Sequence, residues 1–367
     1  MVFAFAFVVL GLPDFAHGVA WPTMRAEFHR PLADLGTFLV AQAVGYLAVA
    51  MTAGRLAARW TVEGLVVRAT IACCVGLSII AAAATWPVVL VGGLLLGAGS
   101  GGMDTGFNAA VALRNDGRLM GFLHAGYGVG AALGPVVVGV SLVAGGGWRT
   151  PYAIFAATTG VLVLLLPARS MGHAPPQEAL GSPRGVLLPC LAFFVYVALE
   201  VTVGQWAFTF LTDHRNTGDL AASVWVGAYW VGLTAGRLWL GFAGHRMSID
   251  RVLTISMLVA VGGSLILWLG GPAAPVGLPV LGLALSVVFP LLMVVTPQRV
   301  GAERAAAAVG WQTAAATMGA AAGPAVAGLV LEAGSVSAYG PLTLLMTFAL
   351  VAAIRAAMRP SLPTPHG

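Results

Sequence analysis

The chain has 367 residues, of which 59% are hydrophobic and 8% charged, against about 25% charged in an ordinary soluble domain. Mean hydropathy is +0.92. So few charges cannot cover a water-exposed surface of this size, so lipid is the main solvent, and short loops between helices leave no room for a separate catalytic or nucleic-acid-binding domain. The net charge of +5 is carried without a single lysine. Arginine placement in loops explains it better than a nucleic-acid partner does.

A spanning helix needs about 20 apolar residues. The apolar windows predict twelve helices, over 3–24, 34–56, 64–85, 87–112, 119–143, 150–167, 186–212, 219–243, 251–270, 275–296, 304–331 and 339–358. Met1 leads straight into the first run without a basic lead. That run continues past Pro13 and Asp14 to Pro22, which reads as a spanning helix and not as a cleaved signal. With the N-terminus cytoplasmic, 14 of the 18 arginines fall on the cytoplasmic side. Only Arg25, Arg30, Arg149 and Arg215 fall outside. The split follows the positive-inside rule and supports both an even count and cytoplasmic termini. In this map Arg237 counts among the cytoplasmic set, and no arginine falls clearly within a span to pair with the acids described below. The longest polar stretch, 168–185, carries Pro175, Pro176, Gln177, Glu178 and Arg184. It reads as a cytoplasmic linker (169–185) between an N-terminal bundle (1–168) and a C-terminal bundle (186–367).

The halves repeat each other. Thr52-Ala-Gly54-Arg55-Leu56 recurs as Thr234-Ala-Gly236-Arg237-Leu238, 182 residues on. Gly130-Ala-Ala-Leu-Gly134-Pro135 recurs as Gly319-Ala-Ala-Ala-Gly323-Pro324, 189 residues on. Asp14 with Gly18 matches Glu200 with Gly204 at a spacing of 186. Three matches near one spacing imply two parallel halves related by an axis along the membrane normal. Rocking of such halves gives alternating access to a site near the midplane. The Gly-x-x-x-Gly-Pro copies are expected to let backbones approach closely.

An acid at a helix centre costs about 2.5–3.5 kcal/mol on insertion scales. Asp14, Asp104 and Glu200 fall near mid-helix, which marks them as candidates for proton coupling. A carboxyl in an apolar, partly wet site can hold a proton on one side and release it when water enters from the other. One proton crossing 100 mV supplies about 2.3 kcal/mol, enough for roughly fifty-fold accumulation of a neutral solute at about 1.4 kcal/mol per tenfold. Asp14 is the first choice of carrier, Asp104 the second. His17 follows Asp14 by three residues, on the same face if the helix is continuous. His124 and Tyr127 share that spacing on helix 5. Aromatics with polar tips can stack on a sugar ring and hydrogen-bond to it. The solute-binding candidates are therefore His17, Trp21, Asn108, His124, Tyr127, Gln205, Trp206, Tyr229, Trp311 and Gln312. Trp60, Trp86 and Trp148 fall at span ends, where interfacial anchoring is expected.

Other chemistries find no support. Cys73, Cys74 and Cys190 lie in apolar runs without metal or disulfide spacing. The glycines from Gly97 to Gly101 lack the lysine of a phosphate-binding loop. No nucleophile–base pair or metal cluster is visible, so no enzyme activity, cofactor or metal is expected.

These features resemble the major facilitator superfamily across nearly the whole chain. Gly54-Arg55-Leu56-Ala57-Ala58-Arg59 is similar to the family's motif between helices 2 and 3, with Ala58 where the family has aspartate. Gly11-Leu-Pro-Asp14, Gly97 through Asp104 to Asn108, Leu123-His124, Tyr196 through Glu200 to Trp206, and Phe289-Pro290 resemble the fucose-permease-like sugar:proton symporter branch. The resemblance implies an all-α integral membrane fold of twelve helices in two parallel, pseudo-symmetric six-helix bundles, in a monomer; arginine without lysine points to a GC-rich bacterial genome, and so to a bacterial inner membrane. It also implies that Asp14 matches the branch's helix-1 coupling acid, and that Asp104 and Asn108 match an acid–asparagine pair on helix 4. The function expected is import of a small polar solute, of the sugar or polyol class, with protons. The rival reading is a proton-driven antiporter exporting drugs or hydrophobic metabolites, since the family's antiporters share a related helix-5 motif. A receptor or membrane-embedded enzyme is a third reading without supporting residues.

Overall fold

A computed structural model describes residues 2–112, 117–166, 186–243, 247–300 and 302–358. The expected linker at 169–185 lies outside the described residues. Fourteen α-helices follow in order: α1 Val2–Asp14, α2 His17–Glu27, α3 Leu35–Ala50, α4 Ala53–Ala82, α5 Trp86–Ala112, α6 Gly117–Val143, α7 Arg149–Leu165, α8 Leu187–Thr209, α9 Asp219–Ala243, α10 Ile249–Leu269, α11 Gly277–Leu285, α12 Val288–Val300, α13 Ala302–Ala333 and α14 Tyr339–Met358. Among the described residues, nine segments are long and apolar enough to cross a membrane, and the α1–α2 pair, bent by 41°, makes a tenth. The 17-residue α7 and the 25-residue α9 complete twelve crossings. The protein is an all-α, multi-pass membrane protein built from two parallel six-helix bundles, α1–α7 and α8–α14.

The differences from the expected helices have local causes. The first span breaks after Asp14. Pro13 has no N–H to offer the preceding turn, the Ala16 N–H bonds only the Pro13 carbonyl, and helix resumes at His17. The third span starts earlier than expected, because a short helix from Ala53 runs into a break at Thr61, whose φ of 68° lies in the left-handed region. The Thr61 hydroxyl accepts the Gly64 N–H at 3.2 Å and so caps the main span. The tenth span splits into α11 and α12 ahead of Pro290.

The repeat is visible as packing. Within the first bundle α1 lies on α6, α3 and α4 on α5, and α4 on α7; within the second α8 lies on α13, α9 on α11, and α10 on α14. Gly130 and Gly134 sit against the carbonyls of Val8 and Leu12, so close that an added Cβ would overlap them. Their repeat mates Gly319 and Gly323 sit in the same way against Phe194 and Ala198, with the Gly323 position leaving 2.6 Å to the Ala198 carbonyl oxygen. Without a hydrophobic force between helices in lipid, such backbone approach is what draws them together.

The halves meet through α3 on α13, α6 on α9 and α2 on α8. The close approaches concentrate towards the face opposite the chain's crossing from α7 to α8, here called the far face. Gly36 would bring a Cβ to 2.7 Å from Ala325 Cα, and Gly328 to 3.1 Å from Ala33 Cα. The Ala33 N–H donates to Glu332 Oε2 at 2.8 Å across the halves. Ser223 fills the space over Gly139, and Ala132 lies over Gly227. In this conformation the far face is closed.

Overpacking costs about 1–3 kcal/mol, so Gly130→Val and Gly319→Val should each lower the thermal unfolding midpoint of the purified protein in detergent. Gly262→Ala, whose new Cβ meets nothing within 4 Å, should leave it unchanged or raise it.

Candidate functional site

The break in the first span places Asp14 where the two bundles face each other. Its Oδ2 accepts the Tyr127 hydroxyl of α6 at 2.9 Å, and its Oδ1 accepts Gln42 Nε2 of α3 at 3.3 Å. One helical turn from Gln42, the Tyr46 hydroxyl donates to Asp104 Oδ2 at 2.7 Å. Asn108 Nδ2 donates to Asp104 Oδ1 at 2.8 Å, across one turn of α5. Gln42 and Tyr46 thus bridge the two acids along one face of α3, and the acids are close enough to repel. All six side chains are half-buried within the spans. Charges there must face protein or water and not lipid.

The backbone of the break is held from the other bundle. Gln205 Nε2 of α8 donates to the Asp14 main-chain carbonyl at 2.9 Å. Gly18 lies directly against the Gln205 backbone, and no Cβ would fit between them. Phe15, the residue after Asp14, stacks on Trp230 of α9 with ring centroids 3.4 Å apart.

The acid of the second bundle has a different environment. Glu200 Oε1 lies 3.7 Å from Arg237 Nη2 of α9. This corrects the expectation that no arginine falls within a span, and it removes Arg237 from the cytoplasmic set. The Tyr229 hydroxyl donates to the Glu200 carbonyl at 2.9 Å, which fixes α9 on α8. Glu200 Oε2 and Arg237 Nε are buried without a well-formed hydrogen bond among the described residues, and the Tyr196 hydroxyl lies within reach of both side chains.

Several expected site residues lie elsewhere. His17 does not meet Asp14: the break turns it into the core of the first bundle, where Nδ1 bonds the Tyr152 hydroxyl at 2.7 Å and the ring packs on Phe38. Trp21 is fully buried and donates to the Leu32 carbonyl at 2.9 Å near the far face. Trp206 donates to the Pro324 carbonyl at 2.9 Å and locks α8 to the proline of α13. Gln312 is buried against Thr296, at 2.9 Å, between α13 and α12. Trp311 is half-buried one residue earlier. The side chain of His124 lies outside the described residues. Trp86 and Trp148 are not lipid-facing anchors: both are buried, Trp86 among Trp21, Phe28 and Arg30, and Trp148 donating to Glu27 Oε2 at 2.8 Å.

Gln42, Tyr46, Tyr196 and Arg237 were missed. Gln42 and Tyr46 carried a signal, two polar tips four residues apart in an apolar run. Arg237 was hidden by its repeat mate Arg55, which is exposed near the start of α4.

Two six-helix bundles meeting over a mid-depth cluster of acids, hydroxyls and amides define a multi-pass membrane transporter. The profile of the Major Facilitator Superfamily matches residues 3–324, and the chain belongs to that superfamily. Among curated proteins it is 26% identical over 278 residues to "Bypass of stop codon protein 6" of Saccharomyces cerevisiae, a match covering 65% of this chain and 56% of the yeast protein. It is 22% identical over 275 residues to the glucose/mannose transporter GlcP of Bacillus subtilis, covering 69% of this chain and 68% of that one. It is 27% identical over 378 residues to an uncharacterized MFS-type transporter of Yersinia pestis, covering 96% of this chain and 94% of that one. Among solved structures it superposes on the nucleoside transporter NupG with a TM-score of 0.72 at 18% identity, covering 98% of each chain. It superposes on the Escherichia coli fucose:proton symporter FucP with a TM-score of 0.64 at 16% identity, again covering 98% of each.

The far-face contact can be tested by added bulk. A Cβ at Gly36 would already lie 2.7 Å from Ala325, so Gly36→Leu should keep the far face from closing and stop transport in proteoliposomes while the protein still purifies as a folded species; transport at the wild-type rate contradicts the closed far face.

Proposed function

We propose that the protein is a proton-coupled symporter that imports a small polyhydroxylated solute, of the sugar or polyol class, by alternating access. The observation that carries this reading is Asp14: an ionisable group at a helix break, between the two bundles, whose side-chain partners among the described residues, Gln42 and Tyr127, are neutral. A carboxyl held by neutral groups can exist with or without its proton, and no fixed counter-charge is stranded when it changes. Asp104 is within its electrostatic reach and is the second proton carrier of the reading. Polar groups on both bundles, with the half-buried Trp311 ring, suit a hydroxylated ring.

The solute class has further support in the relatives. Glucose and mannose, nucleosides and fucose, the solutes named for the three transporters above, are or contain polyhydroxylated rings. The arginine distribution supports a cytoplasmic face carrying both termini and the linker, so the conformation closed at the far face is inward-facing. A monomer in a bacterial inner membrane completes the reading. The antiport alternative retains only the glycine–proline motif of α6, which here serves helix packing against α1 in the same way that its copy on α13 serves packing against α8.

Asp14→Asn should abolish uphill uptake in proteoliposomes while leaving solute exchange down a concentration gradient at a substantial fraction of wild type. Uphill uptake persisting in that variant refutes the coupling role. Addition of transported solute should alkalinise the compartment it leaves, whereas antiport would acidify it.

A further inference from the structure

The acids of the two bundles are repeat mates, yet their surroundings differ in a way that separates their tasks. Asp14 has neutral side-chain partners. Glu200 faces Arg237, and both are deep in the fold; a proton added to Glu200 would leave the guanidinium without its counter-charge inside the span, which is costly. The pair is also not closed. At 3.7 Å the contact is longer than a charge-assisted hydrogen bond, normally about 2.7–2.9 Å. The Arg237 side chain is 32% exposed and that of Glu200 11%, so part of the arginine side chain borders open space within the span. Each partner keeps an unused atom, an acceptor at Glu200 Oε2 and a donor at Arg237 Nε. The Tyr196 hydroxyl, one turn before Glu200, lies within reach of both charged groups and completes a well-formed hydrogen bond to neither.

A ligand that completes this set must donate to a carboxylate and accept from a guanidinium at once. A carboxylate ligand would satisfy Arg237 and be repelled by Glu200. An ammonium ligand would satisfy Glu200 and be repelled by Arg237. Neighbouring hydroxyl groups do both without net charge, since each donates one hydrogen bond and accepts others. We infer that Glu200, Arg237 and Tyr196 form a solute subsite for a vicinal pair of hydroxyl groups, and that Glu200 does not carry the transported proton. The subsite rests on the symport reading above and divides its labour: the first bundle handles the proton, the second grips the solute. Arg237 also lies near Tyr127, the hydroxyl donor to Asp14, so solute in this subsite would sit beside the proton site and sense its state.

The test uses the full-length protein in detergent for binding and in proteoliposomes for transport, with D-glucose, D-mannose, myo-inositol and uridine as probes and 2′,3′-dideoxyuridine as the control lacking the hydroxyl pair. The Glu200→Gln/Arg237→Gln double variant strands no charge, and Tyr196→Phe removes a single hydroxyl, so folding can be checked independently in each by size exclusion and thermal unfolding. For any probe that binds the wild type, affinity should fall tenfold or more in the double variant and about threefold to tenfold in Tyr196→Phe. The pH profile of uptake should keep its position in Glu200→Gln and vanish in Asp14→Asn. A Glu200→Gln protein that loses its pH dependence while binding solute as before makes Glu200 a proton carrier and overturns the inference while leaving symport intact. Unchanged affinity in Tyr196→Phe and in the folded double variant overturns the subsite. Failure of all four probes to bind the wild type overturns the polyhydroxylated-solute reading and the subsite with it.

Discussion

The centre of the molecule depends on the interruption of the first span. A continuous helix satisfies its own carbonyls; the break at 14–17 frees some, and one of them, on Asp14 itself, is taken by Gln205 of the opposite bundle. An unmet carbonyl in a low-dielectric interior is expensive, so the break holds its shape while α2 lies on α8. Any motion that parts those helices must release this bond and unstack Phe15 from Trp230. The backbone carrying the candidate proton group is therefore tied to the relative position of the bundles. Under the proposed function, gain or loss of a proton at Asp14 and movement of the halves would be linked through this backbone.

The internal repeat preserves packing more faithfully than chemistry. Gly130 presses on Val8 of α1 and Gly319 on the equivalent Phe194 of α8, each within its own bundle, and the glycine–proline segments follow the same geometry. The acids do not. Asp14 took neutral partners and Glu200 a guanidinium, a divergence made possible by helix length. In the first half the chain leaves helix after Ala50, at Met51 and Thr52, and the repeat arginine, Arg55, falls in the short helical stretch ahead of Thr61. In the second half α9 runs on to Ala243, carrying Arg237 inside the span and onto Glu200. The difference in where the two helices end leaves Arg55 exposed and Arg237 inside the span.

That difference between position along a helix and direction around it explains what could be read before the fold was known. The helix count, the parallel halves and the depth of the three acids were legible, because hydropathy and repeat spacing report position along the membrane normal. Direction around a helix was not. The spacing of His17 from Asp14 implied one face only if the helix was continuous, and Pro13 with the break rotated His17 onto Tyr152. Trp21, Trp206 and Gln312 looked like solute ligands because each joins an aromatic body or long stem to a polar tip. In the fold those tips serve the Leu32 carbonyl, the Pro324 carbonyl and Thr296. Polar tips in apolar helices must find partners somewhere, and backbone carbonyls freed near prolines and turns satisfy them as well as a solute would.

A transporter must hold two conformations at nearly equal free energy, which limits how strongly any closed face can bind itself. The far face meets this limit through its choice of contacts. It closes by small residues at short range, Gly36 on Ala325 and Gly328 on Ala33, with one exposed hydrogen bond from Ala33 to Glu332. Such a bond contributes about 0.5–1.5 kcal/mol, and small-residue packing adds no buried charge that separation would strand. The ion pairs of Arg30 with Asp34 and Arg149 with Glu27 stay within the first bundle, so they stiffen that half without latching it to the other. Strong interactions inside each rigid body and weak ones between them leave the balance to groups at the centre. There, a proton on Asp14 or a solute beside Glu200 and Arg237 would need to favour one state by only a few kcal/mol to decide which face is open.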